Sequence, residues 1–163
     1  MSPEDNQTFT HDTLDEGYDF FITDRFKERH HFKISTFAVP SGLLSEAIEV
    51  IDPEPDKEPR SFCVLSDFGT DIEKAELLLK EKIKKGINQR HLYIEDGKLR
   101  IGDRQQLIGR IEWDGNSSEA GFNLIFVIDG RRVTIDTFVE LLEGYEGWDF
   151  AFKIYDPTDD DPY

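Results

Sequence analysis

The sequence predicts an α+β fold: a mainly antiparallel, curved β-sheet with two helices packed on one face. Eight or nine short segments carry strand-like alternation or continuous apolar character, and two segments carry helix signals. Strands and helices do not alternate regularly, which argues against a parallel doubly wound sheet. The length of 163 residues suits a single core, and thirteen Phe, five Tyr and two Trp supply bulky side chains to fill it.

Residues 1–17 read as a flexible acidic arm, 18–155 as one α+β domain, and 156–163 as an acidic tail that cannot pack. Two lobes meeting near 66–70, at Ser66-Asp67-Phe68-Gly69, are the alternative organisation.

Taken in order, Tyr18 to Ile22 is a short strand rich in aromatics, and His31 to Val39 alternates as a strand requires. Pro40-Ser41-Gly42 turns the chain into a strand from Ser45 to Ile51, and the three prolines between Asp52 and Pro59 then predict an exposed loop. Ser61 to Leu65 is the next strand. Thr70 with Glu73 reads as a capping box, Ile72, Ala75, Leu79 and Ile83 share one helix face, and Gly86 is the expected stop.

His91 to Glu95 and Lys98 to Ile101 flank Asp96-Gly97, a dipeptide suited to the type I′ turn, whose two central residues both need positive φ. Leu107 to Trp113 alternates, 114–121 is a polar loop, and Phe122 to Ile128 is continuous enough to be a central strand. Asp129-Gly130 turns again. Thr134 caps a helix carrying Ile135, Phe138, Val139 and Leu142, with Val133 stapled to Phe138 and Gly144 ending it. A final strand from Trp148 to Tyr155 would bury Trp148, Phe150, Phe152 and Ile154 on one side.

Charge narrows the function classes. The net charge is −16, yet residues 74–110 hold ten Lys/Arg against five Asp/Glu, a net of +5 that leaves −21 elsewhere. Such acidity repels phosphate backbones and anionic lipid, so nucleic-acid contact requires the basic segment to form one stripe. A partner with a basic surface is the natural match. No run of apolar residues is long enough to span a bilayer, and Cys63 is the single cysteine, in an apolar strand context, so a reducing cytoplasm is expected.

Motifs for chemistry are absent. The chain has no Gly-x-Ser-x-Gly elbow, phosphate-binding loop or Gly-x-Gly-x-x-Gly turn. His30 and His31 point to opposite faces of a strand and His11 and His91 are remote, so no metal, cofactor or catalytic residue is expected. Cys63 lacks a neighbouring base. The segment around Asp129-Gly130 has an architectural explanation; as a binding surface it would present Arg131, Arg132, Tyr145, Glu146 and Trp148, since Arg and aromatics dominate interface energetics.

The segment Ile128-Asp129-Gly130-Arg131, Phe138, Tyr145-Glu146-Gly147-Trp148, with the earlier His30-His31-Phe32 and Gln89-Arg90-His91-Leu92, resembles an uncharacterised bacterial domain family over about His30 to Asp156. The resemblance implies a bacterial, intracellular domain and carries no catalytic residues. The expected function is a non-enzymatic acidic protein-interaction module, a regulator or immunity-like protein masking a basic surface. The alternatives are a small-ligand binder or enzyme assembled in three dimensions around His91, His31 and arginines, or nucleic-acid contact through 74–110. Oligomeric state is not legible.

Overall fold

Tight turns decide the topology. The computed structural model describes residues 17–115, 123–158 and 162–163; all but the last residue of the expected arm, most of the 114–121 loop and the middle of the tail lie outside them. Among the described residues, nine antiparallel strands form three open sheets accompanied by two helices, an α+β fold that is mostly sheet. The strands are thus shared among three sheets rather than one, and each helix packs on its own set. Unit 1 comprises residues 1–51, 61–88 and 155–163, and unit 2 comprises 52–60 and 89–154. Residues 66–70 lie inside unit 1.

In unit 1, β1 (Tyr18–Thr23), β2 (Arg29–Val39), β3 (Gly42–Glu49) and β4 (Ser61–Ser66) form a meander in sequence order. Pro40-Ser41 links β2 to β3, with Val39 opposite Gly42. At Gly42 φ is +149°, and an added Cβ would lie 2.2 Å from the Ser66 carbonyl oxygen, so glycine is required. Period-2 alternation puts Phe32 and Ile34 of β2 and Ala47 of β3 into a core with Phe62, Leu79, Ile83 and Ile87.

Helix α1 (Ile72–Ile87) supplies the last three of these from one face, as its spacing predicts. Its boundaries differ from expectation. Asp71, not Thr70, is the N-cap and gives no side-chain cap, while Asn88 is the C-cap. Gly86 sits inside the last turn, where an added Cβ would lie 2.6 Å from the Phe62 ring. It is therefore a close-approach residue rather than a stop. Glu76 accepts from Tyr18 Oη and Thr36 Oγ1, both at 2.7 Å, joining the helix to β1 and β2. Burial, reinforced by this bond to Glu76, pushes the Tyr18 phenol well above its ordinary value.

The tail also departs from expectation. The Tyr163 ring lies 6.0 Å from Phe62 at the core margin, and the Pro157 carbonyl accepts from Lys82 Nζ at 2.7 Å.

In unit 2, β5 (Leu92–Glu95) and β6 (Lys98–Ile101) form the predicted hairpin, with φ of 51° at Asp96 and 76° at Gly97. β7 (Arg110–Trp113), β8 (Leu124–Ile128) and β9 (Arg131–Thr134) form a sheet with β8 central, as its apolar run predicts. The proline-rich loop is less irregular than expected. Glu58 N donates to the Gly130 carbonyl and Arg132 N to the Asp56 carbonyl, so its non-proline residues add a short pairing to β9.

Thr134 caps α2 (Ile135–Leu141) by accepting from Thr137 N, and Phe138 stacks on Phe126 at 4.7 Å. The core holds Leu92, Ile128, Val133 and Leu141. The predicted strand from Trp148 to Tyr155 does not form: residues 148–156 have no regular structure. Alternation alone supplies a strand-like face, and a strand also needs a neighbouring strand to complete its ladder.

Candidate functional site

The five predicted surface residues divide into two groups in unit 2. Arg131 and Arg132 open β9, where Arg132 pairs with Asp114 and faces Glu58, and Arg131 lies 3.8 Å from Asp56. These ion pairs hold both guanidinium groups against the 56–58 loop and β7's end. Tyr145 and Trp148 pack edge-to-face at 5.2 Å, with Trp148 N donating to the Tyr145 carbonyl, and Glu146 is exposed between them. Gly144 and Gly147, both at φ +91°, shape this reversal.

The apolar side chains beyond the turn are open to solvent. Exposure is 62% for Trp148, 91% for Phe150, 64% for Phe152 and 70% for Ile154. Spaced two residues apart, these four side chains are large apolar groups in solvent, unlike the scattered single residues of an ordinary surface. The surrounding charge is acidic: Glu143, Glu146, Asp149 and Asp156 against Lys153. Sequence reasoning found the spacing and placed it in a core.

A second cluster lies at the β1–β2 turn of unit 1. His30 is buried, with Nε2 2.8 Å from Asp24 Oδ2 and Nδ1 3.0 Å from Glu49 Oε2. Asp24 Oδ1 accepts from the backbone N–H groups of Phe26 and Glu28 at 2.8 and 2.9 Å. Asn88 accepts from Arg25 N at 2.7 Å, tying the end of α1 to the turn. His31, on the opposite face as expected, stacks on Phe21 and faces Asp19 at 2.7 Å. The His31 and Lys33 hydrogen bonds hold the Asp19 carboxyl below its ordinary value. The expectation that metal donors come as paired His or Cys overlooked this group, in which one histidine meets carboxylates. Asp24, Glu28 and His30 at spacings of four and two residues were its visible signal.

His91 lies in unit 2 beside an open cleft of about 410 Å³ lined by Arg90, His91, Leu92, Tyr93, Gly102 and Asp103. Asp129 Oδ2 accepts from the backbone N–H groups of His91 and Leu92 at 2.7 and 2.8 Å. Burial holds the His91 imidazole below its ordinary value of 6.5, with Arg104 and Arg60 acting in the same direction and Asp129 and a backbone bond to Gln106 opposing. A ring that resists protonation when folded favours the unfolded chain once protons bind. Its stability contribution is therefore complete above pH 6.5 and is lost as pH falls through the depressed folded value. Urea unfolding between pH 7 and 5 should show a slope from this group of at most about 1.4 kcal/mol per pH unit, flattened in His91→Gln.

The basic segment is divided between the units: Lys74 to Lys85 lie on α1 in unit 1, and Arg90 to Arg110 lie in unit 2. Lys80 covers the Tyr18 and Phe20 rings, and Lys82 Nζ also reaches the Cys63 carbonyl at 3.0 Å. Cys63 is buried, as its apolar neighbours predict. Among the described residues no helix is long and apolar enough to cross a membrane.

Two family models match the chain. Residues 15–88 match a domain of unknown function (DUF7686), and residues 89–159 match another domain of unknown function (DUF7713). The resemblance to a single uncharacterised family over about His30 to Asp156 is therefore resolved into two, and their junction coincides with the division between Asn88 and Gln89. No curated protein and no solved structure matches the chain.

Proposed function

We propose that this pairing of two uncharacterised domains is a non-enzymatic protein-interaction module of the bacterial cytoplasm, which docks a basic partner through the segment from Tyr145 to Ile154. The observation that carries the reading is the row Trp148, Phe150, Phe152 and Ile154, all exposed, at strand spacing, in a segment that is not itself a strand. Such a row suits addition to the edge of a partner's sheet, where backbone bonds give affinity and alternate side chains enter pockets. The acidic flanks select a groove with a basic rim, and the −16 net charge accelerates encounter with it. Cys63, a lone buried thiol, suits a reducing compartment.

The test is capture from bacterial lysate at low and high salt by wild-type protein and by a Trp148→Ala, Phe150→Ala double variant, followed by affinity measurement on the purified partner. The expected result is a basic protein, released by salt, whose affinity falls tenfold or more in the double variant, because aromatic anchors dominate such interfaces. Equal affinity for both proteins would overturn the reading, as would self-association of the wild type through this segment in analytical ultracentrifugation. The cleft beside His91 favours a second reading, a small-ligand site in unit 2 independent of the aromatic row.

A further inference from the structure

We propose that Asp24, Glu28 and His30 bind one divalent transition-metal ion, with Glu49 orienting the His30 ring from behind. One donor atom from each of the three lies within 4.8 Å of the others. All three come from a single turn and the strand it starts. Asp24 N donates to the Glu28 carbonyl at 2.9 Å, Lys27 N donates to the Asp24 carbonyl at 3.0 Å, and Lys27 adopts φ +71°. The backbone thus sets the spacing before any ligand arrives.

The cluster differs from a chance gathering of surface acids in its burial and in its outer contacts. The Asp24 side chain is fully enclosed and that of His30 is 7% exposed. Asp24 Oδ1 is occupied by two backbone donors, which aims Oδ2 at His30 Nε2. Glu49, from the neighbouring strand β3, faces Nδ1. A carboxylate on the far nitrogen of a ligating histidine fixes the tautomer and raises ligand basicity, and this is the usual second contact of metal-bound imidazoles.

The ion takes the lone pair of an Nε2 that carries no proton, while Nδ1–H donates to Glu49. In that state neutral His30 and the carboxylates of Asp24, Glu28 and Glu49 sum to −3, and a bound dication reduces the charge to −1. Donors held about 2.0–2.2 Å from a zinc ion sit roughly 3.0–3.5 Å apart, so the present 2.8 Å between Asp24 and His30 needs only a small opening. Glu28 is exposed and offers the entry path, leaving the fourth position to water.

Zinc is the probe. The full chain, stripped with chelator, is titrated with Zn²⁺ by calorimetry and with Co²⁺ by visible absorption, alongside Glu28→Gln, Glu49→Gln and Glu81→Gln. Glu28 and Glu81 are both exposed acids outside the two hydrophobic cores. The expected result is one ion per chain, a tetrahedral Co²⁺ spectrum, affinity lowered tenfold or more in Glu28→Gln and Glu49→Gln, and wild-type affinity in Glu81→Gln. Absence of one-to-one binding in the wild type would overturn the proposal and leave His30 as a structural ion-pair partner. Equal weakening in Glu28→Gln and Glu81→Gln would also overturn it, as diffuse attraction to an acidic surface. Loss of metal binding leaves partner capture through residues 145–154 unaffected, so the two readings fail separately.

Discussion

Replacing Phe32 with alanine should lower the unfolding free energy by about 3–5 kcal/mol. Phe32 has no exposed surface and sits on β2, with Phe20 opposite it on β1 and Glu49 opposite it on β3. Its ring meets Phe62 edge-on at 5.9 Å and shares the core with Ile34, Leu79, Ile83 and Ile87. Removing it withdraws apolar surface from the core and leaves a cavity walled by strands already fixed through two ladders, so little collapse can compensate. Phe32→Leu preserves much of the volume and should cost clearly less. Urea titration followed by circular dichroism measures the loss, and hydrogen exchange should localise it to β1–β4 and α1. A loss below 1 kcal/mol for Phe32→Ala would contradict this packing.

The second large effect is expected at Asp129, where alanine should cost about 2–4 kcal/mol. Two backbone N–H groups, those of His91 and Leu92, donate to one carboxylate oxygen, and deletion leaves both without this acceptor. Alanine is also strained at φ 55°, a left-handed conformation that aspartate and asparagine tolerate better. Three variants separate the causes. Asp129→Gly relieves the backbone but not the missing acceptor, so it should remain strongly destabilised. Asp129→Asn retains an acceptor oxygen and should lose least. Asp129→Asn also removes the charge that opposes the His91 shift, so NMR titration should find the His91 imidazole lower still.

Local chemistry was the part of the fold most legible from residues alone. Asp96-Gly97 and Asp129-Gly130 have positive φ at both positions, as their hairpins demand, and Thr134 caps α2 with its own hydroxyl. These features depend on a few neighbouring residues, which a sequence displays directly. Gly86 shows the opposite case, because its role depends on a phenylalanine ring from β4 that nothing in the helix announces. Trp148 to Ile154 shows a third case. Period-2 alternation states that a face can be buried but not by what, and here the four side chains are exposed. The candidate metal site was hidden for a related reason: Glu49 reaches His30 only through the pairing of β2 with β3, nineteen positions apart along the chain.

The interleaving of the two units bears on synthesis. Unit 1 is completed by residues 155–163, and Tyr163 packs beside Phe62, so its core margin cannot close until all of unit 2 has left the ribosome. Residues 52–60, translated well before β9, must likewise wait for Arg131 and Arg132 before they find their backbone partners. Contacts of such long sequence separation carry a large loop-closure cost and form late. Vectorial emergence should therefore yield a β1–β4 and α1 intermediate whose Phe62 margin is bare, a species that exposes apolar surface to any nascent-chain binding factor until the last residues are made.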